Sequence, residues 1–349
     1  MPPMPLSKID TMPSFDRLLV ATDFSAASQA ACRTAIDTCL ALRASLVILH
    51  VFRPVEAVAQ EAGGQKQEAG AQEAEKKALQ DKCRAALEEL RQQAVQAGVE
   101  CEAILGRGKP TATILETITV KKIDLTIMGT SALHGLERIV FDSTTEAVLR
   151  KAPCPVLTVG PHADNSEKAL QSVGPVVFAT DFHFTTIHAI RFAASFSQLT
   201  ASPLHCLHVM PRSLEACTQC QVVPAIMSEA LQQLANESGV VVETPICATT
   251  YGSEVSCAVV DYARQQKAKL IVLGVRKASL EASETHLHIA YRIITEAPCP
   301  VLTMAFGSGA DNIGAHNKAP ASMTSNESGC RSCGATANQD QPAMHCETH

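Results

Sequence analysis

The sequence predicts an α/β protein made of two tandem copies of one open, parallel domain with about five strands. Repetition is the first observation behind this. The string APCPVLT stands at Ala152–Thr158 and again at Ala297–Thr303, and ATDF at Ala21–Phe24 and again at Ala179–Phe182. Leu-His-Val follows in both halves, centred on His50 and on His208. The landmarks keep their order, which marks a duplicated domain. The second observation is alternation: short apolar runs take turns with amphipathic segments, the pattern of βαβ units with right-handed crossovers.

The elements follow in order. In the first copy the strands read RLLVA (Arg17–Ala21), SLVILHV (Ser45–Val51), ECEAIL (Glu100–Leu105), LTIMG (Leu125–Gly129) and PVLTV (Pro155–Val159). The second copy offers PVVFA, PLHCLHV, VVETPIC, LIVLG and PVLTM at matching places. These runs are apolar almost throughout, as parallel strands covered on both faces require. Helical patterns fall at Ser25–Leu42, Gln72–Ala97, Lys109–Lys121 and Thr144–Arg150. The first copy is longer because of an insert, EAVAQEAGGQKQEAGAQEAEKK (Glu56–Lys77). Its stretch from Gln60 to Lys77 lacks an apolar stripe and reads as a solvated loop running into the exposed start of a helix.

The expected organisation is an N-terminal extension over 1–14, a first domain over 15–160, a linker over 161–173 and a second domain over 174–305. The linker belongs to the polar stretch GPHADNSEKALQSVG, punctuated by Gly and Pro. The stretch 306–349 is small, polar and poor in aliphatics, so a disordered, Cys-containing tail is expected there.

Composition bounds the function. The 349 residues carry 29 Lys+Arg against 35 Asp+Glu, a formal net charge of 29 − 35 = −6 without a basic stripe, which argues against a nucleic-acid binder. Aromatics make up 4% and Trp is absent, so platforms for stacking bases are scarce. No run of eighteen apolar residues is present, so no membrane span is expected. The start MPPMPLSKIDTMPSF has neither the basic opening nor the apolar core of a signal peptide, and a cytoplasmic location is expected. A reducing compartment makes most of the 14 cysteines small buried hydrophobes. That is the expectation for Cys32, Cys39, Cys83, Cys101, Cys154, Cys206, Cys247, Cys257 and Cys299.

Open parallel sheets take ligands past the carboxyl ends of their strands, where the strand order reverses. Two segments lie there in the first copy: Thr22-Asp23-Phe24-Ser25 after strand one, and Gly129-Thr130-Ser131-Ala132-Leu133-His134-Gly135 after strand four. Ser143 and Thr144 open the next helix, where free N–H groups and a hydroxyl can hold an anion. The plainer reading of Asp23 and Ser143 is a pair of helix caps.

VATDFS, the two LHV segments, MGT followed by Ser143, and APCPVLTV together resemble the universal stress protein family in its tandem form, over nearly all of Phe15–Thr303. The resemblance implies Rossmann-like domains of the adenine nucleotide alpha hydrolase-like type, with strand order 3-2-1-4-5 and helices on both faces. It also implies binding of ATP or a related nucleotide in some members, and dimerisation through the last strand, which a tandem chain can satisfy within itself. The family's phosphate pattern is Gly, two residues, Gly, nine residues, Gly, then Ser or Thr. Gly129, Ala132, Asp142 and Ser143 occupy those positions, so the spacing is kept while two glycines are lost. Ala132 adds a methyl where backbone should approach phosphate, and Asp142 adds a Cβ and a carboxylate, which a bound Mg²⁺ could turn into a ligand. The remaining positions implied by the resemblance are Asp23 on the adenine side, Val51 and Met128 in the base pocket, and Ser143 with Thr144 toward phosphate, with Ala21, Thr22 and Thr130 as further nucleotide-binding positions. In the second copy the equivalents are Gly274, Lys277, Leu287 and His288, so the phosphate loop is dismantled and that domain reads as a structural partner.

The expected function is a stress-response regulatory module binding ATP in domain one, at most a slow ATPase, with domain two as internal pseudo-dimer partner and a homodimer as a further assembly. Two alternatives stand beside it. One is a nucleotide-independent scaffold. The other is a thiol or zinc sensor using the C-x-x-C pairs Cys217/Cys220 and Cys330/Cys333, with Cys346, His345 and His349 nearby. His286 and His288 could share one side of a loop, whereas His50 and His208 read as packed, hydrogen-bonded histidines.

Overall fold

A computed structural model of the chain describes residues 13–52, 69–130, 143–163, 173–182, 189–215, 225, 229, 245–276 and 284–306. Ten strands form one sheet: β1 (Arg17–Ala21), β2 (Ser45–Phe52), β3 (Cys101–Arg107), β4 (Leu125–Gly129), β5 (Val156–Val159), β6 (Val176–Ala179), β7 (Leu204–Pro211), β8 (Ile246–Gly252), β9 (Leu270–Arg276) and β10 (Val301–Phe306). Their order is β3-β2-β1-β4-β5-β10-β9-β6-β7-β8, so each half keeps the order 3-2-1-4-5. Every pairing is parallel except β5 with β10, where the halves meet antiparallel. The last strands of the two copies thus join inside one chain, as the tandem arrangement implies.

Seven helices are described: α1 (Ala26–Leu42), α2 (Ala69–Gln96), α3 (Pro110–Lys121), α4 (Ser143–Lys151), α5 (Ile190–Leu199), α6 (Val255–Gln265) and α7 (Glu284–Glu296). Successive strand side chains point to opposite faces, so each strand feeds two cores. Leu18, Val20, Ile48 and Phe178 pack on the layer of α1, α2 and α5. Leu19, Val47, Val177 and Val301 pack on the layer of α3, α4, α6 and α7. Both layers run unbroken across the junction of the halves. The uninterrupted apolar strands of the sequence follow from this double coverage. Each fully buried Leu, Ile or Val contributes about 1.5–3 kcal/mol from water exclusion.

Backbone approach at the junction is close. A Cβ at Gly160 would fall 2.1 Å from the Ile294 carbonyl oxygen on α7. No side chain larger than hydrogen fits there without moving a helix.

Three sequence expectations are corrected. Among the described residues the third strand of the second copy is Ile246–Gly252, which shares only Ile246 and Cys247 with the expected VVETPIC: Pro245 offers no N–H to a neighbouring strand, and the described pairing starts after it, with Cys206 opposite Cys247. Residues 241–244 lie outside the described residues. Helix α2 begins at Ala69, before the expected Gln72, because the Ala-rich end of the insert suits a helix as well as a loop. Of the nine cysteines expected inside, Cys32, Cys39, Cys206 and Cys299 are buried, whereas Cys83, Cys101, Cys154, Cys247 and Cys257 are half-exposed. Cys101 and Cys247 sit on β3 and β8, the sheet edges, where only one neighbouring strand gives cover. Among the described residues, no helix is long and apolar enough to cross a membrane. The linker stretch 164–172 and the tail 307–349 lie outside the described residues.

Candidate functional site

The carboxyl ends of β1 and β4 part where the chain order reverses, and a cavity of about 530 Å³ opens there. Its floor is the turn after β1, which is tied to itself. The Thr22 N–H donates to the Leu49 carbonyl (2.9 Å), and the Phe24 N–H to the Thr22 hydroxyl (3.0 Å). The Thr22 and Ser28 hydroxyls share a hydrogen bond (3.0 Å). His50 Nδ1 donates to the Thr22 carbonyl oxygen (2.8 Å), which fixes the ring across the turn. Phe24 takes a left-handed φ of 64°. A bulky residue holds that conformation only when its surroundings impose it.

Asp23 is not the helix cap. Ser25 caps α1, its hydroxyl oxygen accepting from the Ser28 N–H (3.3 Å), while Asp23 accepts the Ser25 N–H at 3.0 Å. Partial burial pushes the Asp23 carboxyl up, but hydrogen bonds from Ser25 and Ser28 outweigh it and leave the group below the ordinary aspartate range. An ionised carboxylate therefore faces the cleft from its floor.

The opposite wall is β4 with α4. A Cβ on Gly129 would sit 2.2 Å from the Ala27 carbonyl oxygen, so only glycine lets the start of α1 close against the end of β4. Thr145 is buried and donates its hydroxyl to the Gly129 carbonyl (3.3 Å), which pins the first turn of α4 over the cleft. Ser143 is exposed and Thr144 half-buried at that N-terminus.

Of the residues expected at a site, Ala21, Thr22, Asp23, Val51, Met128, Gly129, Ser143 and Thr144 line this one cavity. Thr130 does not line it; that residue is buried and its N–H donates to the Val159 carbonyl (3.0 Å). Ala132 and Asp142 lie outside the described residues, as do His134 and Gly135. The cavity also takes in Ser25, from the segment expected after strand one, and His50, at its strand end, together with Ser28, Leu49, Pro110, Ile114 and Thr145, which were not expected there. For His50 the repeated Leu-His-Val was a usable signal. Pro110 and Ile114 come from α3, which nothing in the sequence placed over the cleft.

The second copy repeats the turn. Thr180 N–H donates to the Leu207 carbonyl (3.0 Å), Phe182 N–H to the Thr180 hydroxyl (3.0 Å), and His208 Nδ1 to the Thr180 carbonyl (2.8 Å). Phe182 also has a left-handed φ, 59°. Among the described residues no group of three His, Cys, Asp or Glu side chains is gathered to hold a metal. Cys217, Cys220, Cys330, Cys333, Cys346, His345 and His349, and the side chains of His286 and His288, lie outside the described residues.

Two open parallel α/β domains, each with a cleft at its strand-order reversal and joined through their last strands, define a tandem, doubly wound class of protein. The chain belongs to the universal stress protein family, whose model matches residues 14–160 and again 173–304. The universal stress protein MJ0531 of Methanocaldococcus jannaschii is 30% identical over 145 residues, 42% of this chain and 82% of that protein. YxiE of Bacillus subtilis, also named a universal stress protein, is 29% identical over 146 residues, 42% of this chain and 99% of its own. A universal stress protein of Archaeoglobus fulgidus superposes with a TM-score of 0.63 at 18% identity. That superposition covers 83% of this chain and 98% of that one, so the likeness in fold extends through both halves.

Proposed function

We propose that this protein is a cytoplasmic stress-response regulatory module whose first-domain cleft binds ATP or a related adenine nucleotide, with the second domain as its internal pseudo-dimer partner. The observation that carries the reading is the meeting of Asp23 with the N-terminus of α4 across a cavity of about 530 Å³. That volume falls within the usual range for small-molecule sites, roughly 300–1,000 Å³. Val51, Met128 and Leu49 offer apolar walls for a base, and Asp23 an acceptor for a base or ribose donor. The first-turn N–H groups of α4, with the Ser143 and Thr144 hydroxyls, suit an anion. The Gly129 backbone, bare of a side chain, permits close approach. The residues present therefore fit the group.

The test is equilibrium binding of ATP with Mg²⁺ to the wild type and to Asp23→Ala, beside mass spectrometry of any nucleotide that purifies with the protein. Saturable binding is expected, weakened about tenfold or more in the variant, the worth of one charge-assisted hydrogen bond. No saturable binding to the wild type at millimolar ATP would leave the scaffold reading in its place.

A further inference from the structure

The second domain keeps a cavity at the place equivalent to the nucleotide cleft, but its chemistry has been changed. It holds about 250 Å³ and opens past the ends of β6, β7 and β9. From the third strand of each copy onward the repeat offset is 145 residues, fixed by APCPVLT, and it pairs that part of the two linings position by position. Thr144 and Thr145 of the first cleft correspond to Ile289 and Ala290 of the second, Pro110 to Val255, and Met128 to Leu273. The Thr144 and Thr145 hydroxyls are thus replaced by hydrocarbon, while Ile114 keeps an apolar counterpart in Val259. Ile293 adds a further aliphatic wall.

Among the described residues of this lining, the polar side chains are Thr180, Asp181 and His208, all at one end. They are engaged with the protein itself: the Thr180 hydroxyl accepts from Phe182 and its carbonyl accepts from His208. The Asp181 carboxylate at that end is the counterpart of Asp23 in the first cleft.

Drift to a merely structural domain predicts a cavity closed by larger side chains, because an apolar hollow in a close-packed layer is destabilising. Here the substitutions change polarity and narrow the space from about 530 to about 250 Å³ without closing it. Ala290 is smaller than the threonine it replaces, and Gly274 is retained. At the mouth Val255 is 42% exposed, an apolar side chain left facing water at the cavity's edge.

We propose that the second-domain cleft binds an uncharged, largely apolar small molecule carrying at most one hydrogen-bonding group, and that it does so independently of any nucleotide in the first domain. Aliphatic walls supply the affinity through water exclusion. The single polar end sets orientation.

The probe for the test is N-phenyl-1-naphthylamine, a neutral apolar fluorophore, titrated into the full chain. Saturable fluorescence enhancement at one probe per chain is expected, undiminished by millimolar ATP. Val255→Glu places a charge at the mouth on an exposed position, and Val209→Phe fills the cavity from β7. Each is expected to weaken the probe at least about tenfold while the chain still unfolds cooperatively. Absence of saturable binding, unchanged binding in both folded variants, or displacement of the probe by ATP would each overturn the proposal.

Discussion

Leu157 and Leu302 face each other across the antiparallel junction of β5 and β10, and each is the other's counterpart in the repeat. Their neighbours obey the same rule: Val156 pairs with Thr303 and Thr158 with Val301. A local two-fold axis therefore passes between the two leucines. Both are fully buried in the same core layer. Truncation of either to Ala is expected to destabilise the chain by about 2–5 kcal/mol. The double variant is expected to cost less than the sum, by about 0.5 kcal/mol or more, because the two deletions enlarge one shared hollow. Urea unfolding of the four proteins in a double-mutant cycle checks this, and strict additivity would contradict direct packing across the junction.

Much of this was legible before any coordinates. APCPVLT recurs because the same strand must serve as β5 and β10, and strands buried on both faces leave continuous apolar runs that are hard to mistake. The cleft was legible where it is made of strand ends, at Ala21–Asp23, Val51 and Met128–Gly129. It was illegible where helices lean over it. Pro110 and Ile114 reach the cavity only because α3 returns across the sheet, a tertiary fact without a local signature. Ile246 was missed as the start of a strand because VVETPIC has the right composition, and the missing N–H of Pro245 decides the boundary instead.

The turn after β1 holds strain that can be measured. Phe24 lies over His50, with ring centroids 4.4 Å apart and planes tilted by 34°, while its φ stays at 64°. Ala at this position removes the ring contact and keeps the left-handed penalty, about 1–2 kcal/mol for an L-residue. Gly removes both, at an unfolded-state entropy cost of about 0.5–1 kcal/mol. Phe24→Gly is therefore expected to be the more stable of the two variants by roughly 0.5–1 kcal/mol, the reverse of the usual order. Phe182 in the second copy, φ 59°, should behave alike. Denaturant midpoints for the pairs check both, and a less stable Gly variant would show that the strain is not real.

Asp23 links the same turn to pH. Its folded-state carboxyl is held below the ordinary aspartate range despite partial burial, through the hydrogen bonds from Ser25 and Ser28. A lowered folded pKa favours the carboxylate in the native state. The resulting stabilisation is complete above the unfolded-state pKa and disappears as pH falls through the folded one. Asp23→Asn should therefore be less stable than the wild type at pH 7 and converge on it in acid, below the ordinary aspartate pKa. Urea unfolding from pH 7 down to the acid transition measures the gap, and a gap constant with pH would rule out this linkage.

Burial divides the thiols by reactivity. Desolvation pushes Cys32, Cys39, Cys206 and Cys299 up to about 12. At pH 8 such a group is thiolate in about one molecule in ten thousand, and the thiolate is the form that attacks a disulfide reagent. The packed sheet around these residues also keeps a bulky reagent out. Of the 14 cysteines in the chain, these four are expected to stay silent toward an aromatic disulfide reagent in the native, fully reduced protein. The half-exposed Cys83, Cys101, Cys154, Cys247 and Cys257 should react more slowly than a free thiol, because burial raises each of them as well. Guanidinium should release the full count at once. A native titration that reaches 14 within minutes would mean that the core layers open far more often than their packing implies.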